Sequence, residues 1–206
     1  MPKRKLPPLL PNKVPRQARS QRTYDDIVEA GARLLLKSGY EALTTNHVAE
    51  EAGVGIASVY EYFPNKQAIV AAVVTHVVSE MVGEFRESLA EAMGSEPQEA
   101  LRMWLRTMFR AVERRKAIIT VFVREVPFLL EIPAVESLSA RLLELAQSAA
   151  VLARKPLIVE HAAAVSYLMT VMVQAAVLGS VIRRPAHLGQ EELRETLTKL
   201  LIELLA

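Results

Sequence analysis

The sequence predicts an all-α chain, with a small N-terminal three-helix unit of helix-turn-helix type and a larger helical bundle behind it. Three observations carry this. Apolar residues recur at helical spacing, as in Ile69/Val70, Val73/Val74, Val77/Val78 and Met81/Val82, which step by four where a strand would alternate by two. The breaks between periodic segments fall at proline and glycine. No Asn-Gly or Asp-Gly hairpin signal occurs anywhere in the 206 residues.

The elements follow in order. Pro2, Pro7, Pro8, Pro11 and Pro15 exclude a helix before about residue 18 and predict an extended, disordered arm. A first helix is predicted to start between Ser20 and Thr23, with Thr23 and Asp26 as a local capping pattern, and to stop at Gly39. Thr44 or Thr45 caps a second helix that ends at Gly53, and a third spans about Gly55 to Phe63, ahead of Pro64. Asn65 caps a long fourth helix reaching Gly94. Further helices are predicted at about Pro97–Arg114, Ala117–Glu125, Ala134–Leu152, Pro156–Ile182 and Gln190–Leu205. The domain division expected from this is an arm at 1–18, a helix-turn-helix domain at 19–65 and a helical body at 66–206.

Composition narrows the function classes. Apolar residues make up 51% of the chain, enough for a sizeable core, and there is no cysteine, which excludes disulfide and thiolate chemistry and suits a reducing compartment. The basic N-terminus lacks an uninterrupted apolar segment and a small-residue cleavage site, so no secretory signal is expected. Seven basic residues, from Lys3, Arg4 and Lys5 through Lys13, Arg16 and Arg19 to Arg22, precede the first acid, Asp25. Because the whole chain carries +2, the remainder carries −5. A basic arm on a mildly acidic body points to a local polyanion contact; a solvated tail is the plain alternative. Ala162–Ile182 has no charged residue over 21 positions, a length that could cross a membrane. Ser166, Thr170, Gln174 and Ser180 within it favour burial in a dimer or bundle core, so no membrane partner is expected.

Thr44–Lys66, TTNHVAEEAGVGIASVYEYFPNK, is the segment richest in chemistry. Gly53 suits a left-handed turn, Ala49 and Ala52 allow two helices to cross closely, and Val48, Val54 and Val59 supply their shared contact. Ile56, Ala57 and Ser58 then begin the helix that would enter the major groove and read base edges. Tyr60, Tyr62 and Lys66 suit phosphate contacts, which fix register without reading sequence. A helical hairpin with buried tyrosines satisfies the same bare pattern.

This run resembles the DNA-binding signature of the TetR family of bacterial transcription regulators, over Tyr24 to Ile69 and most densely over Ala52 to Lys66. Ala52, Gly53, Val54, Ser58, Tyr60, Tyr62, Phe63, Asn65 and Lys66 fit the family pattern. Gly55 departs from it in place of serine, Ala57 in place of glycine and Val59 in place of leucine. The resemblance implies DNA contacts from Thr45, Asn46 and Gly55 as well, a homodimer through the last two helices, and a cytoplasmic, ligand-responsive repressor of a palindromic operator. Leu193, Leu197, Leu200, Leu201, Leu204 and Leu205 give the final helix an apolar stripe suited to that dimer. The resemblance also implies a cavity for a small hydrophobic effector in the body, for which Trp104, Met108, Phe122 and Phe128 are the apolar candidates and Arg124, Tyr167 and Gln174 the polar ones. A helical carrier or sensor with a vestigial helix-turn-helix is the alternative.

No cofactor, metal site or enzymatic activity is expected. Gly53-Val54-Gly55 lies between helices and lacks the third glycine of a dinucleotide fingerprint, and no P-loop or nucleophile elbow occurs. His47, His76, His161 and His187 are scattered without metal-ligand spacing. Glu87, Glu91, Glu96 and Glu99 read as solvated helix faces.

Overall fold

The computed structural model describes residues 7–92, 94–152, 162–183 and 185–205. Within them the chain is helical with no strand: α1 Ala18–Ala42, α2 Thr45–Ala52, α3 Ile56–Tyr62, α4 Lys66–Glu91, α5 Pro97–Arg114, α6 Lys116–Glu125, α7 Pro133–Glu136, α8 Leu138–Leu152, α9 Ala162–Ile182 and α10 Gln190–Leu205, with a 3-10 turn at Leu129–Glu131 before α7. Lys3, Arg4, Lys5 and the expected helix start at Pro156 lie outside the described residues.

Most predicted boundaries hold, because proline, glycine and short polar caps act locally. Thr44 accepts the His47 N–H at 3.2 Å, and Asn65 Oδ1 accepts that of Ala68 at 2.8 Å, so both predicted caps are formed. The start of α1 is a correction. It begins at Ala18, where Ser20 Oγ bonds the Gln17 N–H at 3.2 Å, and Thr23 sits inside the helix with its hydroxyl donating back to the Arg19 carbonyl. The predicted helix over Ala134–Leu152 is divided. The Ile132 carbonyl collects the N–H groups of both Val135 and Glu136, closing one turn, and Ser137 opens α8 by accepting from Arg141.

The residues group into two compact units: Met1–Val78 with Ala117–Glu136, and Ser79–Lys116 with Ser137–Ala206. The division therefore falls inside α4 rather than at residue 65. In the first unit, Ile27, Val28, Leu34 and Leu35 of α1, Val48 of α2, Val59 and Tyr62 of α3, and Ile69 and Val70 of α4 are buried. Gly39 breaks α1 with φ 77°, ψ 178°, a conformation that L side chains avoid. A Cβ there would also collide with the carboxylate of Glu125, which accepts the Tyr40 N–H at 2.9 Å. The Tyr40 ring meets Phe128 edge-on, with centroids 5.7 Å apart. The α6 end and the turn after it thus close over the broken end of α1.

In the second unit α5 packs on α9 and α10, and α8 packs on α9. Trp104, Leu105, Met108, Phe109, Ala111 and Val112 form the buried face of α5, and Val173, Val177 and Val181 that of α9. Trp104 Nε1 donates to the Phe85 carbonyl at 3.2 Å. Arg115 and Arg114 both pair with Glu84. Burial alone would raise the Glu84 carboxyl, but the hydrogen bonds from the two guanidiniums outweigh it and hold its pKa below the ordinary carboxylate value.

Candidate nucleic-acid interface

The α2–turn–α3 unit is fixed by its backbone. Gly53 takes the left-handed conformation, φ 67°, ψ 29°, and its N–H reaches the Ala49 and Glu50 carbonyls. Val54 N–H returns to the Ala49 carbonyl at 3.0 Å, which closes the turn. Gly55 then caps α3 with its carbonyl but has no side chain to bond the free N–H groups. Val48, Ala49 and Val59 are buried on the inner face. Arg33 of α1 anchors the outer end of α2 through a 2.7 Å contact with Glu51.

The sequence-predicted contact residues separate into two groups. Asn46, Gly55, Ile56, Ala57 and Tyr60 are exposed, and Thr45 and Ser58 are partly so. Thr45 Oγ1 and the Tyr60 hydroxyl lie 3.1 Å apart, joining the start of α2 to the middle of α3. Tyr62 and Lys66 are corrections. Tyr62 is only 4% exposed, with its ring edge-on to Tyr24 at 6.0 Å, so it belongs to the core and does not face a phosphate. Lys66 Nζ donates to the Tyr40 and Glu41 carbonyls at 3.2 and 3.3 Å and lies 4.5 Å from the centroid of the Tyr40 ring. Its ammonium is committed to the end of α1.

The described part of the arm is also placed differently from expectation. Residues 7–17 are non-helical, with bends at Leu10, Asn12 and Gln17, and they are pinned along the end of α3. Asn12 N–H bonds the Tyr62 carbonyl at 2.7 Å, and its side chain bonds that of Tyr60 at 2.9 Å. Asn65 Nδ2 reaches the Pro8 carbonyl at 3.2 Å. Lys13 pairs with Glu61 and lies 4.7 Å from the Tyr62 ring centroid; the hydrogen bond to Glu61 raises the pKa of this ammonium above its ordinary value. Sequence reasoning missed these anchors, since Asn12 and Asn65 leave no periodic signal. Their consequence is positional. Arg16 follows Asn12 by four residues, so it lies within about 14 Å of the α3 end even when the chain is fully extended. Arg16, Arg19 and Arg22 are exposed and have no ion-pair partner among the described residues.

The seven expected effector-cavity residues divide between the two units. Phe122 and Phe128 are buried in the first, the latter against Tyr40, while Arg124 is exposed. In the second, Trp104 and Met108 are buried, and Gln174 Oε1 accepts the Ser139 hydroxyl at 3.0 Å. Gln174 Nε2 is buried with no hydrogen-bond partner among the described residues. Tyr167 is 55% exposed on α9, which corrects its expected place in a cavity wall, as does the exposure of Arg124. The final helix needs a similar correction: Leu197 and Leu201 are buried within the chain, and Leu200 and Leu204 remain exposed.

Comparison with known proteins gives this geometry its lineage. Residues 27–73 match the family model described as bacterial regulatory proteins, tetR family. The uncharacterized HTH-type transcriptional regulator YvkB of Bacillus subtilis is 33% identical over 99 residues, which are 48% of this chain and 50% of that protein. The HTH-type transcriptional repressor KstR2 of Mycolicibacterium smegmatis is 26% identical over 127 residues, 62% of this chain and 60% of its own. The matched part is thus about half the length of these curated relatives. Among solved structures, a TetR-family transcriptional regulator from Streptomyces coelicolor is 25% identical with a TM-score of 0.64, covering 91% of this chain and 100% of its own. The fatty acid degradation regulator FadR of Bacillus halodurans shares the fold at 18% identity and a TM-score of 0.68, over 94% of this chain and 97% of its own. Residues 27–73 thus match the tetR-family DNA-binding model, and the chain as a whole is similar in fold to solved regulators of that family.

Proposed function

We propose that this protein is a homodimeric, DNA-binding transcriptional repressor of the cytoplasm, released from a palindromic operator by a small-molecule effector. One observation carries the reading: α3 buries Val59 and Tyr62 and leaves Ile56, Ala57 and Tyr60 exposed, while Arg16 of the arm and Arg19 and Arg22 of α1 are exposed with no ion-pair partner among the described residues. An exposed helix start with cations alongside is what groove reading and phosphate contact require. Ile56, Ala57 and Ser58 offer no bidentate donor or acceptor. Base reading therefore rests on apolar contact with thymine methyls, on Asn46 and on DNA shape. Thr45, Tyr60 and the three arginines take the phosphates, while Tyr62 and Lys66 hold the scaffold.

Leu168, Val171 and Leu178 of α9 and Leu200 and Leu204 of α10 are exposed at spacings of three, four and seven. That pattern supports a second copy of the chain as the cover for the last two helices rather than a bilayer. The effector reading keeps Trp104, Met108 and Gln174, since the unsatisfied Gln174 amide is a group that a ligand would complete. The protein acts by binding, with no catalytic step and no cofactor.

Selection from random duplex DNA by the full chain tests the proposal. Enriched sites should be palindromic, with half-site centres about 34 Å apart or a multiple of that. Failure to enrich any such site sinks the regulator reading.

A further inference from the structure

An open groove of about 490 Å³ lies in the second unit between α5 and the first turn of α10, and it contains none of the residues assigned above to DNA or effector. Four arginines line it against two glutamates. Arg194, 8% exposed, projects from α10 and is held by Glu191, with Nε to Oε2 at 3.2 Å. Arg114 is occupied by Glu84, and Glu113 accepts from the Gln190 amide at 3.2 Å. Arg106 and Arg110, one turn apart on α5, have no ion-pair partner among the described residues.

Glu191 shows what such a groove attracts. Its side chain is 72% exposed, yet its carboxylate turns in to the buried guanidinium. The hydrogen bond from Arg194, with the fields of Arg106 and Arg110 behind it, lowers the Glu191 pKa. The Glu191 carboxylate therefore faces three guanidiniums and bonds only that of Arg194, while Glu113 accepts from Gln190. The free N–H groups of the α10 first turn add partial positive charge. Phe109 is the one apolar residue in the lining. The size falls within the range of small-molecule sites, about 300–1,000 Å³.

We propose that this groove binds a small anion through Arg106, Arg110 and Arg194, with Glu191 as the internal carboxylate that the ligand supplements or displaces. The ligand chemistry is a planar or tetrahedral oxyanion, a carboxylate or a phosphate group, matched by guanidinium forks. The site is compatible with a dimer through α9 and α10. Glu191 and Leu200 are nine residues apart, which places them about 180° apart around α10 at 3.6 residues per turn.

Isothermal titration of the full chain at low ionic strength tests this, with pyrophosphate and glutarate as separate probes. Saturable binding of either one is expected, and the preferred probe tells a phosphate source from a dicarboxylate source. The double variant R106Q/R110Q should bind at least about tenfold more weakly, and R16Q/R19Q should bind as the unsubstituted chain does. E191Q removes the competing carboxylate and should bind more tightly, which a merely structural arginine cluster would not produce. Absence of saturable binding at millimolar probe, unchanged binding by R106Q/R110Q, loss confined to R16Q/R19Q, or no gain in E191Q each overturns the proposal. None of these measurements involves DNA, so the regulator reading stands or falls separately.

Discussion

Val59 and Tyr62 are three residues apart on one face of α3 and both are buried, whereas Tyr60, about 100° round from Val59, is half exposed. That difference decides what each tyrosine does. Tyr62→Ala should cost about 3–4 kcal/mol in urea unfolding, as for other large aromatic truncations in a core. Tyr60→Phe should change stability by less than about 0.5 kcal/mol yet weaken binding alike across operator variants. Arg19→Gln should lower the salt slope of operator binding by about 0.9, which Tyr60→Phe leaves unchanged. Should Arg19→Gln leave the slope unaltered, the start of α1 does not touch phosphate. The turn glycines behave differently from each other. Gly53→Ala meets no neighbouring atom but must adopt φ 67°, so it should cost about 1–2 kcal/mol. Gly55→Ser restores a capping hydroxyl and should gain a few tenths of a kcal/mol, both read from denaturant midpoints.

At the scale of the helices, the sequence was most legible where the signal is local. Gly53, Pro97, Thr44 and Asn65 each mark a boundary through their own backbone or side chain, and those boundaries appear as expected. The inward turn of Tyr62 was only partly open to the same reasoning, since Ile56 and Tyr62 stand three residues either side of Val59 and only Tyr62 is buried. What spacing could not show are partners distant in sequence. Glu125 reaches Tyr40 across 85 residues, and Asn12 reaches Tyr60 across 48, with no periodic trace of either. The exposed residues of α9 and α10 carry the prediction at this scale. Leu168→Glu or Leu200→Glu should convert a dimer to monomers in analytical ultracentrifugation, with little change in helicity by circular dichroism. Dimers that persist in both variants would remove the last two helices as the interface.

For the whole molecule, response to acid follows from Glu84. Its pKa is lowered in the folded state, so its pairing with Arg115 and Arg114 stabilises the chain above the ordinary carboxylate pKa, and that contribution is lost as pH falls through the depressed value. Glu84→Gln should therefore reduce stability at neutral pH and flatten its decline on acidification, measured by thermal melts across pH. A stability profile that keeps its acid slope in the variant would place the lability elsewhere. The unit boundaries carry a different consequence. The Glu125 carboxylate and the Phe128 ring complete the reading head although they belong to a segment nearly forty residues beyond its last helix turn at Val78. A unit cut after Val78 would leave the Tyr40 N–H and ring bare, so anyone transplanting the proposed DNA reader onto another body must carry 117–136 with it.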